Sequence, residues 1–74
     1  MTLITVLERR FAMKDLGKTI AKHRKDHKLK QSQLAIELEK YDIYVKPNTV
    51  SAWESGLSQP NSRQLLAICE LLNI

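Results

Sequence analysis

Along most of this chain, hydrophobic and polar residues recur with the period of an α-helix. Leu16, Ile20 and then His23 or Arg24 fall on one side of the stretch from Leu16 to His27, with basic residues between them, which predicts an amphipathic helix. Leu29 ends that run and is expected to face inward. Gln31 to about Lys40 predicts a second helix with Leu34, Ala35 and Leu38 on one face. Pro47 opens a third, since proline is favoured at the first helical position, where its missing N–H costs nothing. That helix carries Val50 and Trp53 inward and stops at Gly56, a residue type favoured just past a helix end. Asn61, after Pro60, is a good cap for a fourth helix with the apolar set Leu65, Leu66, Ile68, Cys69 and Leu72. Helices this short are not stable alone, so the expected fold is all-α, with the helices packed on one another. Residues 1–12 read two ways: Leu3, Leu7 and Phe11 have helical spacing, while Leu3 to Val6 is also a β-branched run. They are expected to form an arm or partner-binding segment ahead of a domain spanning 13–74.

Size and composition narrow the function. Seventy-four residues make one domain, and a chain this short buries only about 60% of the surface its unfolded form exposes. A large enzyme with a deep substrate cleft is therefore not expected. Hydrophobic residues at 43% and charged residues at 27% are the balance of a folded protein. No apolar run approaches the roughly 20 residues of a membrane helix, and Leu3 to Leu7 is too short for a secretory signal. The lone cysteine, Cys69, has no partner for an internal disulfide. His23 and His27 have the spacing of a metal pair but no third ligand, so neither a metal nor a cofactor is expected. A reducing cytoplasm suits this cysteine usage. Glu37, Glu39 and Asp42 have no nucleophile or base partner near them in the chain, which argues against acid–base catalysis.

Charge adds a direction. The formal net charge is +4, but residues 9–30 carry nine Lys or Arg against Asp15 and Asp26, a local +7. Residues 31–74 carry three against five acidic residues, a local −2. A basic stretch on a helix is either an electrostatic footprint for phosphates or a solvated face.

The most informative stretch runs Leu29-Lys30-Gln31-Ser32-Gln33-Leu34-Ala35, then Leu38, then Asn48-Thr49-Val50-Ser51-Ala52-Trp53-Glu54-Ser55-Gly56, then Gln59-Pro60. It resembles the helix-turn-helix of the lambdoid phage repressor and Cro (XRE-type) family. Leu16, Ile20 and Arg24 match that family's first helix, and Leu65 to Ile74 match the helix after the proline, so the resemblance spans residues 16–74. It implies a compact four- to five-helix bundle of the lambda-repressor-like type and sequence-specific binding of double-stranded DNA by a bacterial or phage transcriptional regulator. By that resemblance the regulator is a repressor acting as a homodimer on an operator, with no catalytic residue, membrane or small-molecule substrate. Two departures from the family pattern stand out. The stretch Lys40 to Val45 lengthens the turn, with Ile43 or Val45 expected to tuck into the core, and Lys30 and Lys46 stand where the family usually has an N-capping Ser or Thr.

The inward phase of Val50 and Trp53 leaves Lys46, Asn48, Ser51 and Ala52 on the outer side of the third helix. With Pro47, these are the candidate base contacts. Asn48 leads them, because its amide can pair with adenine in two hydrogen bonds; its rival role is a local cap. The candidate phosphate contacts are Lys28, Lys30, Gln31, Thr49, Ser58 and Asn61, with Gln31 at a helix start, where free N–H groups favour an anion. The resemblance implies an ion pair between Arg24 and Glu54; Arg24 on a phosphate is the alternative. Cys69, where the family usually has Ala, is expected as a buried small hydrophobe. Two readings of other classes stay open: an antitoxin-type protein-interaction module, and the DNA-reading fragment of a larger self-cleaving repressor.

If residues 9–30 form the phosphate footprint, affinity for duplex DNA falls by about 0.9 log units per log unit of salt for each phosphate neutralised. Changing Lys28 and Lys30 to Ala flattens that slope alike for every sequence. Fluorescence anisotropy across a salt series checks this, and equal slopes for parent and variant would refute it.

Overall fold

The computed structural model describes residues 15–74. The arm expected at 1–12, and Arg9, Arg10 and Lys14 of the basic run, lie outside the described residues. Four α-helices follow one another: α1 (Leu16–Asp26), α2 (Gln31–Leu38), α3 (Pro47–Ser55) and α4 (Ser62–Leu72). A 3-10 turn, Glu39–Tyr41, extends α2, and no strand occurs among the described residues. The described residues thus form an all-α bundle of four helices. Helix α3 packs across α1 and α2, and α4 closes the far side against both.

The core is the set of inward stripes. Ile20, Leu34, Leu38, Val50, Ile68 and Leu72 are fully enclosed, and Leu16, Ala35, Ile43, Trp53 and Ala67 nearly so. Leu29, Tyr41, Val45, Leu65, Leu71 and Ile74 pack against its rim. The apolar set of α4 needs two corrections. Leu66 is 52% exposed and Ala67 is buried in its place. A rotation of about 100° per residue puts Leu66 roughly opposite Ile68, the centre of the buried stripe. Cys69 is half-buried rather than enclosed, at the edge of that stripe. Burial still pushes its thiol pKa up, which leaves little reactive thiolate near neutral pH.

Helix ends are set by a repeated local device. After α1, the 3-10 turn, α3 and α4, the chain passes through a left-handed residue: Lys28 (φ 58), Asp42 (φ 58), Gly56 (φ 83) and Asn73 (φ 55). An aliphatic residue follows each time, and its N–H donates to the carbonyl five residues back. The bonds are Leu29 to Arg24 (3.1 Å), Ile43 to Leu38 (3.2 Å), Leu57 to Ala52 (3.0 Å) and Ile74 to Cys69 (2.9 Å). These are Schellman closures, which satisfy carbonyls left over at a helix end. The second helix accordingly ends short of Lys40. Its last residues tighten into the 3-10 turn, and Asp42 reverses the chain.

One close approach was not visible in the hydrophobic pattern. Gly17 faces the C-terminal end of α3, and a Cβ there would overlap the carbonyls of Trp53 and Glu54. Only glycine lets the two backbones come this close. Gly17→Ala is expected to push α1 off α3 and lower stability by about 1–3 kcal/mol, as overpacking does. Ser55→Ala, on the exposed side of α3, should change stability by about 0.5 kcal/mol or less. Chemical denaturation of both variants measures the difference, and equal midpoints would refute the close approach.

Candidate DNA interface

Beneath the helix-turn-helix lies a buried polar network. Arg24, on the inner face of α1, is 8% exposed and is the one charged residue in the core of the described region. Its Nε donates to Glu54 Oε2 at 2.6 Å and its Nη2 to Glu54 Oε1 at 3.0 Å, a two-pronged pair between α1 and α3. Its Nη1 donates to the carbonyl of Leu29 at 2.7 Å, in the turn between α1 and α2. Glu54 Oε1 also accepts from Gln31 Nε2 at 3.0 Å, which ties the start of α2 to the same carboxylate. The hydrogen bond to Glu54 is the main reason the guanidinium pKa lies above its ordinary value; burial opposes the shift, and the charge of Glu54 adds to it. No buried side-chain polar atom among the described residues lacks a partner.

The network sets where the outward residues of α3 point. Val50 and Trp53 lock its inner face into the core. Lys46, Pro47, Asn48 and Ser51 are exposed at its N-terminal half, while Thr49 and Ala52 are half-buried at the flanks. Lys46 is the N-cap residue, in extended conformation with no side-chain cap bond, and Pro47 follows it. Asn48 stands two positions past the cap residue, so it is not the N-cap of α3.

The candidate phosphate contacts fall into two groups. Lys28, Lys30 and Gln31 lie together in and after the α1–α2 turn. Lys30 is the N-cap of α2, and its own N–H donates to Gln33 Oε1 at 2.7 Å. A lysine side chain has no acceptor, so this is one half of a capping box, supplied by the neighbouring glutamine. Ser58 and Asn61 lie beyond the other end of α3, about 13 Å from its start at 1.5 Å per residue. Asn61 is partly occupied: its Oδ1 accepts from Gln64 N at 2.8 Å as the cap of α4, while Gln64 Oε1 accepts from Asn61 N. Its amide NH2 remains to donate outward. Gln31 likewise has one amide hydrogen on Glu54 and one left over.

The lengthened turn is a built piece of structure. Ile43 is buried beneath it, Val45 packs on the core rim, and Arg63 Nη2 from α4 donates to the Tyr41 carbonyl at 3.2 Å. Among the described residues no group of three or more His, Cys, Asp and Glu could hold a metal ion, and no helix is long and apolar enough to cross a membrane.

A buried carboxylate–guanidinium pair, a two-helix unit above it and a polar outer face on the second of those helices make up a helix-turn-helix unit. Residues 20–74 match the helix-turn-helix family HTH_3, and the chain belongs to that family, of the XRE/Cro type. Membership carries a DNA-binding regulatory role. Neither the curated proteins nor the solved structures compared with the chain gave a match.

Two features of this interface escaped the sequence reading. The tether from Gln31 to Glu54 spans 23 positions, and no spacing rule connects them. The clamp from Arg24 to the Leu29 carbonyl needs the turn geometry before it can be seen.

Removing one partner of this pair strands a charge in the core. The Arg24 and Glu54 side chains are only 10% and 9% exposed, so Glu54→Ala is expected to cost about 3–5 kcal/mol. Replacing both residues, with Arg24→Met and Glu54→Leu together, should recover much of that loss. Thermal unfolding of the single and double variants checks this, and a double variant no more stable than the single one would refute it.

Proposed function

We propose that this domain binds double-stranded DNA sequence-specifically as part of a transcriptional repressor, with α3 in the major groove and α2 across the backbone. One observation carries the reading: the N-terminal half of α3 presents Lys46, Pro47, Asn48 and Ser51 outward, while its other face is fixed by Val50, Trp53 and the Arg24–Glu54 pair. A major groove admits an α-helix, and residues near the helix start reach base edges. Asn48 is the principal reader. Pro47 and Ser51 on the same face, with Ala52 at its flank, contribute shape and apolar contact, and Lys46 brings a cation to its start.

Electrostatics support the same orientation. Lys30 and Lys46 each place a cation beside a helix start that has no side-chain cap from the N-cap residue itself. In the free protein that gives up roughly 1 kcal/mol of capping, and the cation opposes the helix dipole. A DNA phosphate beside either lysine relieves both costs. Lys28, Gln31 and Thr49 extend this contact along one strand, and Ser58 and Asn61 supply it past the end of α3. Two copies related by a two-fold axis would then read half-sites about 34 Å apart. Arg24 has its three donor nitrogens on Glu54 and Leu29, which favours the ion-pair role over a phosphate contact.

Asn48→Ala is the direct test. An adenine left without its amide partner costs about 1–3 kcal/mol of discrimination. The variant should therefore weaken the preferred duplex and lose preference at one base pair per half-site, with non-specific binding nearly unchanged. A panel of single-base duplex variants, read with melting temperature, checks this. A variant that keeps the full base preference would take Asn48 out of the reading face, and a parent that binds no duplex would end the proposal.

A further inference from the structure

Tyr44 is 73% exposed, on a turn that is otherwise tied down. From Ile43 to Lys46 the side chains alternate as along a strand: Ile43 buried, Tyr44 out, Val45 half-buried, Lys46 out. Lys46 has the φ of −89° and ψ of 158° of extended backbone, and α3 begins at the next residue. Residues two apart on an extended segment share a side, with about 6.6 Å between their backbones. The alternation puts Tyr44 on the same outer side as Lys46, just ahead of the helix that carries Asn48.

The two inward neighbours and Arg63 hold this position. Ile43 is 5% exposed, its N–H donates to Leu38 at 3.2 Å, and Arg63 reaches the Tyr41 carbonyl on the same turn. A large aromatic side chain is thus presented to solvent by a fixed segment. The core gains little from it, which leaves the phenol free to meet something outside.

Groove dimensions say what that contact is. A helix with its side chains is about 10–12 Å across and the major groove about 12 Å wide. Once α3 fills the groove, no room is left beside it for the segment that leads in. That segment has to cross the phosphate ridge at the groove edge. We infer that Tyr44 is a DNA-backbone contact, its phenol donating a hydrogen bond to a phosphate oxygen at the edge of the groove that α3 enters. The inference rests on the proposed mode of DNA binding and adds the lengthened turn to the interface. Tyrosine hydroxyls are among the groups that take phosphate oxygens, and such contacts fix register without reading sequence.

A neutral donor and a cation leave different marks. Lys46 would displace a counterion, so Lys46→Ala should lower the salt slope by about 0.9. Tyr44→Phe removes only the hydroxyl and should leave the slope as it is.

The test uses the full chain, a duplex selected from a random-sequence pool, and a scrambled duplex of equal length. Tyr44→Phe is expected to weaken binding to both about three- to tenfold, the worth of one hydrogen bond. Its base preference, salt slope and melting temperature should match the parent, and phosphate-ethylation interference should lose one position. If Tyr44→Phe and Tyr44→Ala bind like the parent while Asn48→Ala loses base preference, the inference is wrong and the mode of DNA binding stands. A changed base preference in Tyr44→Phe overturns the phosphate assignment, and a lowered melting temperature makes the hydroxyl structural. A parent that selects no duplex overturns both.

Discussion

Arg24 and Glu54 hold together parts of this domain that the hydrophobic core alone would leave free to slide. Apolar packing is non-directional, and helices as short as α2 and α3 have several acceptable ways to lie on one another. The guanidinium has a fixed fork of donors. Two of its nitrogens take the Glu54 carboxylate on α3 and the third takes the Leu29 carbonyl before α2, so three segments meet one rigid group. Gln31 joins through the same carboxylate. Net stabilisation from a buried pair is modest at best. Its contribution here is angular: it sets the crossing of α2 and α3, on which the proposed contact of a helix start and a helix face with one duplex depends.

Around that fixed point the remaining packing is simple. Trp53 and Val50 fill the space below α3, and the bare backbone at Gly17 lets α1 run close beneath its end. Helix α4 seals the core with Ile68 and Leu72 and sends Arg63 to the carbonyl of the long turn. The polar outer face of α3 is what remains when every apolar position has turned inward. The surface proposed to meet DNA therefore depends on the same side chains that hold the fold.

Much of this was legible along the chain. Leu34, Ala35 and Leu38 on α2, and Val50 and Trp53 on α3, announce their phase by spacing alone. Pro47, Gly56 and Asn61 mark helix boundaries through their backbone chemistry. Less legible was whatever depends on two segments meeting. Gly17 looks like a weak point within a helix until the carbonyls of Trp53 and Glu54 are placed against it. Leu66 and Ala67 exchange roles because the phase of α4 is set by contact with the other helices, and a leucine-rich segment offers more than one apolar stripe. Lys28 gave no hint of left-handed backbone, because glycine, asparagine or aspartate is the usual sign, and Asp42 gave only a weak one. The lengthened turn was visible as extra residues, with Ile43 or Val45 as its anchor. Its exposed tyrosine gained meaning only once the alternation from Ile43 to Lys46 could be seen.

The four Schellman closures bear on how the chain can change length. Each is completed within six consecutive residues, by a left-handed residue and an N–H reaching back to its own helix. A helix that carries its own stop does not need the next one to tell it where to end. Extra residues placed after such a stop are absorbed by the connection, and neither flanking helix has to shift its register. The stretch ahead of α3 shows this arrangement: α2 and its 3-10 turn are already closed at Asp42, and α3 opens afresh at Pro47. Insertions and deletions between the two therefore act on reach and approach angle at the surface. The spacing between core stripes, which the fold cannot give up, is left alone.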